Sequence, residues 1–328
     1  MYLFVLCRKG MRIMDKVSLL KCADYDLTLI QNVLIKSFDN IGGIDKYIKA
    51  GDKVLLKANL LMKKRPDEAV TTHPVLVEAL INIIHSIGGI VTIADSPGGP
   101  YNIAALRGVY KVCGMEDVAS RTGAKLNYNT KYKNIATNGR KVKKFNIIEP
   151  VLEADVIMPK LKTHMMTFYS GAVKNMFGAI PGLFKAEYHA LYPNRKDFCA
   201  MLVDLCVCTK PTINVMDAIW GMEGQGPSGG IPRKFGAILV SDNPYALDGV
   251  ATAIVGITPD EAQTVEESLE RDLWKGMDNT IIIGDSIDEL KVYDLIKPPI
   301  GDMEFSSVRW YLKPFSKGIR KLLLPIPR

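Results

Sequence analysis

Residues 52–96 read DKVLLKANLLMKKRPDEAVTTHPVLVEALINIIHSIGGIVTIADS, and they decide the fold. The run DKVLLKANL (52–60) is almost continuously apolar, as a strand covered on both faces requires. A polar loop follows. Thr72-His73-Pro74 then opens a helix, with a capping residue before it and Gly88-Gly89 after it. IVTIADS (90–96) is the next strand. Upstream, VSLLKC reads as a strand and LTLIQNVLIKSFDNI as a helix ending near Gly42-Gly43. The order β-α-β-α-β predicts an α/β fold, a mainly parallel, Rossmann-like sheet covered by helices, in one body or two lobes.

Further along, residues 101–123 read as helical and 124–150 as a basic irregular or hairpin segment. ADVIMPKLK is another buried strand, 195–209 a helix, TINVMDAIW and GAILVSD strands, and YALDGVATAIVG and DEAQTVEESLERDLWKG helices. TIIIGD and a short ELKVYDL close the set as strands. The α/β body is expected over 14–300, with a lobe boundary possible within 96–150. Residues 1–13 read as a non-structural extension and 301–328 as a basic linker or tail.

With 328 residues and 48% hydrophobic content the chain can bury a large core. Its net charge of +7 is uneven: Val308 to Arg328 holds six basic residues and no acidic one. The rest is nearly neutral, so no nucleic-acid-binding body is expected. The tail suits a solvated terminal segment, or contact with an acidic partner or membrane surface. None of the six cysteines forms a C-x-x-C, and Cys206-Val-Cys208 lies in an apolar helical run; a reduced, cytoplasmic protein is expected. No apolar run reaches transmembrane length, and the apolar start precedes its positive charges, the reverse of a signal peptide.

Parallel α/β sheets bind ligands beyond the carboxyl ends of their strands. Those positions hold Asn59; Asp95, Ser96 and Gly98; Lys160, Lys162 and His164; Asp217, with Glu223 in a glycine loop; and Asp242. The stretch PKLKTHMMTFYSGAVKNMFG (159–178) concentrates the signal, because cationic residues follow a buried strand and a small-residue turn carries Lys174. Such a lysine binds an anion, or loses its proton in a dry pocket and acts as base or nucleophile. His164, Lys174 and His189 are therefore the expected catalytic groups. Asn59, Thr72, His73, Ser96, Gly98, Lys160, Lys162 and Asn175 are expected to bind substrate, and Asp95, Asp217 and Glu223 to position these groups or hold a divalent metal. Taken singly, each also has an ordinary structural reading: a helix cap for Asp95, a strand face for Lys160 and Lys162. The loop GMEGQGPSGGIP serves equally as a lid or a backbone anion nest.

The motifs VLLKANL, TTHP, IADSPGG, LEADVIMPKLKTHMMTFYSGAVKNMFGAIPG, DAIWGMEGQGPSGG and SDNPYALDGVA, in this order over roughly residues 15–290, resemble the family catalogued as domain of unknown function 362. Many members carry a C-terminal ferredoxin-like domain with two [4Fe–4S] clusters, which implies a ferredoxin-like electron donor; this chain has no C-x-x-C-x-x-C-x-x-x-C-P run. A fainter similarity is to nickel-pincer lactate racemases. It rests on His164, Lys174, Pro181-Gly182 and His189, where that family places a cofactor-bearing lysine and a nickel-ligating histidine. The resemblances and the residues together imply an enzyme acting on a small anionic organic molecule by proton or electron transfer. A non-catalytic ligand, metal or electron carrier is the alternative.

Overall fold

The computed structural model describes residues 14–299. The extension over 1–13 and the basic tail over 301–328 lie outside the described residues. The strands are β1 (Asp15–Lys21), β2 (Lys53–Ala58), β3 (Ile90–Ala94), β4 (Lys125–Leu126), β5 (Tyr132–Ala136), β6 (Lys144–Ile148), β7 (Ala154–Met158), β8 (Lys160–His164), β9 (Phe168–Ser170), β10 (Ile213–Glu223), β11 (Ile231–Ser241) and β12 (Thr280–Gly284). The helices are α1 (Leu27–Ile41), α2 (Pro74–Ser86), α3 (Ile103–Val112), α4 (Met115–Thr122), α5 (Ala172–Asn175), α6 (Phe184–Leu191), α7 (Arg195–Thr209), α8 (Pro244–Ile254), α9 (Gln263–Glu270) and α10 (Ile287–Leu290).

One large sheet has the order β12-β1-β11-β10-β7-β2-β3-β4, with β8 and β9 attached beside β10. It is mostly parallel: β2 pairs in parallel with β3 and β7, and β10 with β7 and β8, while β11 runs against both β10 and β1. Strands β5 and β6 form a separate antiparallel hairpin, within the passage whose sequence reads as basic and irregular or hairpin.

Helices cover both faces because the buried strands are apolar on both. Val54 and Leu56 of β2 pack in one core with Val91, Ile93, Val156 and Met158, under Leu34 of α1 and Leu80 of α2. Leu55 belongs to the opposite core, with Ile157, Met216 and Leu239 under Phe198 and Leu202 of α7 and Leu247 of α8. Side chains alternate along a strand, so Lys57 falls on the face of Leu55. It is completely buried there.

Three elements differ from their expectations. ADVIMPKLK, expected as one strand, is divided at Pro159 into β7 and β8, and the helix expected over DEAQTVEESLERDLWKG is confined to α9. ELKVYDL, expected as a strand, begins as the last residues of α10 and continues as irregular chain. Ser286 and Glu289 form a reciprocal capping box that nucleates a helical turn at that point.

Candidate functional site

The carboxyl ends of β2, β3 and β8 and the following turns enclose a small cavity of about 60 Å³. Its lining includes Asn59 and Leu61 after β2, Asp95, Ser96 and Gly98 after β3, and Lys162 and His164 of β8. Lys174 and Asn175 of α5, Phe177 and Gly178 of the next turn, and Lys185 of α6 complete the far wall, with Ser170 and Pro227 at its edge.

Strand β8 explains why two of the nitrogen-bearing side chains meet. Lys162 and His164 are two residues apart on an extended chain, so both project to one side. Lys162 Nζ donates to Val70 O at 2.7 Å and Asn59 Oδ1 at 3.1 Å. His164 Nδ1 accepts from the amides of Met166 and Thr167 at 3.1 and 3.2 Å. This holds the ring as the tautomer with its proton on Nε2. Burial, reinforced by Lys174, pushes the His164 pKa well below the ordinary histidine value; the ring is a neutral donor.

Beneath the cavity Lys57 Nζ sits 2.8 Å from Asp95 Oδ1 and donates to Asn175 Oδ1 at 3.1 Å. Asp95 Oδ2 accepts the amide of Leu60 at 2.7 Å. Gly178 is required here, since a Cβ would collide with Asp95 Oδ1 and Lys57 Nζ. Lys185 Nζ donates to the carbonyl oxygens of Ser96 and Pro97 and to Ser96 Oγ. Lys174 Nζ lies over the ring of Phe177, 4.6 Å from its centroid, and makes no hydrogen bond among the described residues. Burial lowers the pKa of Lys162 and Lys185 to about 7 and of Lys174 to about 8, and mutual repulsion among the amines adds to the effect.

The turn carrying Lys174 is held from below. Asp248 of α8 accepts from the amides of Ala172 and Val173 at 2.6 and 3.0 Å and from the Tyr169 hydroxyl at 3.1 Å. Burial raises its pKa to about 7. Gly171 has no room for a Cβ against Asp248 and Tyr169.

Of the expected site residues, Asn59, Asp95, Ser96, Gly98, Lys162, His164, Lys174 and Asn175 line this cavity. His189 does not. Its Nδ1 faces Met166 Sδ at 3.2 Å and its ring stacks on Phe198 at 4.5 Å, so it stands behind the cavity wall. Burial, with Lys174 and Lys185 nearby, lowers its pKa to about 3.

Lys160 belongs to a second buried network. Its Nζ meets Asp217 Oδ2 at 2.9 Å, and the Tyr25 hydroxyl donates to Asp217 Oδ1 at 2.8 Å. The His73 amide also donates to Asp217, while the His73 ring caps α2 and stacks on Tyr25 at 3.5 Å. Thr72 joins strand ends: its hydroxyl accepts from Asn59 N and donates to Met158 O. Glu223 binds the Ile296 amide and lies 3.7 Å from Arg233.

The three carboxylates expected at one metal thus answer to three different cations, Asp95 to Lys57, Asp217 to Lys160 and Glu223 to Arg233. Each buried carboxylate needs a counter-charge, and each finds its own. Among the described residues no group of three His, Cys, Asp or Glu side chains could hold a metal ion. Cys22, Cys113, Cys199 and Cys206 are buried as free thiols and Cys208 is half-buried. These residues do not fit a resident [4Fe–4S] cluster. Nor do His164 and His189 present a shared pair to a nickel pincer.

Two buried cations at the site, Lys185 on the cavity lining and Lys57 beneath it, have no counterpart among the expected site residues. Lys57 had a visible signal, a charged residue inside an apolar strand that must be buried on both faces. Lys185 had none, because FKAEYHAL reads as any half-exposed helix. Asp248 likewise sits inside what reads as an ordinary apolar helix.

The family model described as domain of unknown function (DUF362) matches residues 54–253. A thylakoid-associated protein of Synechocystis sp. is 32% identical over 251 residues, covering 74% of this chain and 75% of that protein. A crystal structure of a protein from Thermotoga maritima is similar over 65% of this chain and 55% of its own length, at 14% identity and a TM-score of 0.39. Among the described residues no helix is long and apolar enough to cross a membrane.

Proposed function

This chain belongs to the family of domain of unknown function DUF362, and on that premise we propose that its rim cavity binds a small anionic organic molecule and moves a proton at it. The observation that carries this reading is the imbalance of charge: Lys162, Lys174 and Lys185 line the cavity, and its one carboxylate, Asp95, is already paired with Lys57 beneath it. Buried cations without counter-charge are costly, and an anionic ligand supplies what the fold omits.

Lys162 and Lys185 are each tethered to carbonyl oxygens and so are fixed in place to bind and orient the anion. Lys174 is free of such tethers, and its pKa of about 8 lets it exchange a proton near neutral pH, as a general base or acid must. His164 presents Nε2–H as a neutral donor, suited to an oxygen that gains negative charge as a proton leaves carbon.

Isotope exchange tests the reading. The full chain is incubated in D2O with a panel of small carboxylates and phosphate esters, and deuterium incorporation is read by mass spectrometry. One member of the panel should exchange at a carbon-bound proton, and Lys174→Met should slow that exchange by at least a hundredfold while the variant stays folded by circular dichroism. If an anion binds but no member exchanges, the protein is a carrier and the proton-transfer reading fails.

A further inference from the structure

The anion's class can be narrowed from the cavity itself. Lys57 is matched by Asp95 at 2.8 Å. Lys162 and Lys185 donate only to neutral oxygens, of Val70 and Asn59 in one case and of Ser96 and Pro97 in the other. Lys174 touches only aromatic faces. Three ammonium groups therefore lack a carboxylate partner among the described residues. Asn175 adds a fourth donor: it is 3% exposed, its Oδ1 is used by Lys57 and Asn59, and its Nδ2 has no partner. A buried amide nitrogen left unpaired is destabilising, so a ligand acceptor is the expected relief.

The cavity is about 60 Å³, the scale of one compact head group. A carboxylate brings a single charge and two oxygens. It would leave two amines uncompensated and one donor idle. A phosphate monoester brings a charge of roughly −1.5 to −2 at neutral pH and three terminal oxygens, which offsets two of the three amines and offers enough lone pairs for all four donors. Asp95, the one carboxylate on the lining, is already neutralised by Lys57 and opposes the ligand only weakly.

Resting on the anion-binding reading above, we propose that the cavity seats the dianionic phosphate group of a small phosphate ester, held by Lys162, Lys174, Lys185 and the Asn175 amide. The apolar lining residues Leu61 and Pro227 are left for the organic part of the ester.

Methyl phosphate and methyl sulfate test this, since they share size and shape and differ by one charge. By calorimetry on the full chain at pH 7, methyl phosphate should bind at least 30-fold more tightly than methyl sulfate or acetate. Asn175→Asp, an isosteric change that places a carboxylate at the free amide, should weaken methyl phosphate at least 100-fold. The ligand comparison on the unaltered chain needs no variant to fold. Binding of methyl sulfate or acetate within threefold of methyl phosphate overturns the phosphate assignment and leaves anion binding standing. Absence of binding by all three removes both.

Discussion

Lys57 and Asp95 form the hinge of the site's electrostatics. Both are buried, and Asp95 also accepts the Leu60 amide. Asp95→Asn should cost about 3–5 kcal/mol in urea unfolding, the usual result of stranding one member of a buried ion pair. A loss below about 1 kcal/mol would mean that Lys57 is neutral in the folded protein. The neighbouring amines make anion affinity depend on pH. With pKa values of about 7 for Lys162 and Lys185 and about 8 for Lys174, an anion must recruit protons to bind above neutrality. Affinity should fall as pH rises from 7 to 9, by up to about tenfold per unit for each amine that must be reprotonated. Calorimetry in buffers of different ionisation enthalpy should register proton uptake on binding; proton release would contradict the assignment.

At the level of elements, α5 is a single turn that could not persist alone, since isolated helices of that length are unstable in water. It persists because Asp248, reaching from α8, accepts the amides of Ala172 and Val173. Asp248→Ala should lower stability by about 1–3 kcal/mol, through buried amides left unpaired. It should also weaken anion binding at least tenfold, because Lys174 and Asn175 ride on the turn. Calorimetry and thermal melting on one preparation separate the two effects: lower stability with unchanged affinity would make Asp248 a structural prop only. The sequence revealed the strand, the small-residue turn and Lys174 because they are contiguous. It concealed Asp248, which comes from 74 positions beyond Lys174 and reads as one polar residue inside an apolar helix.

For the whole molecule, buried basic groups tilt stability toward higher pH. His73 and His189 have folded pKa values of about 4 and 3 against an ordinary 6.5, so the folded state binds fewer protons than the unfolded chain and stability is lost as pH falls below 6.5. Asp248 opposes this in part, since its raised pKa favours the folded state at low pH. The cavity lysines, lowered from 10.5 to about 7–8, should make stability climb again between pH 7 and 10, by at most about 1.4 kcal/mol per unit for each group. A saturating anion should flatten that second rise, and melting curves with and without methyl phosphate would display it; identical profiles would show that the amines are not where the anion binds. The sequence by itself determined the helix-covered, mostly parallel sheet, because unbroken apolar strands alternating with capped amphipathic helices have few other ways to bury themselves. It also placed Lys162, His164, Lys174 and Asn175 at one rim, since strand ends and their loops are local properties. Tertiary packing alone decided which charges neutralise one another. Lys160 pairs with Asp217 away from the cavity, His189 turns behind Phe198, and Lys185 swings in from α6. The reason is that a buried charge is fixed by the nearest opposite charge in space, and neighbours in space are set by the fold and not by spacing along the chain.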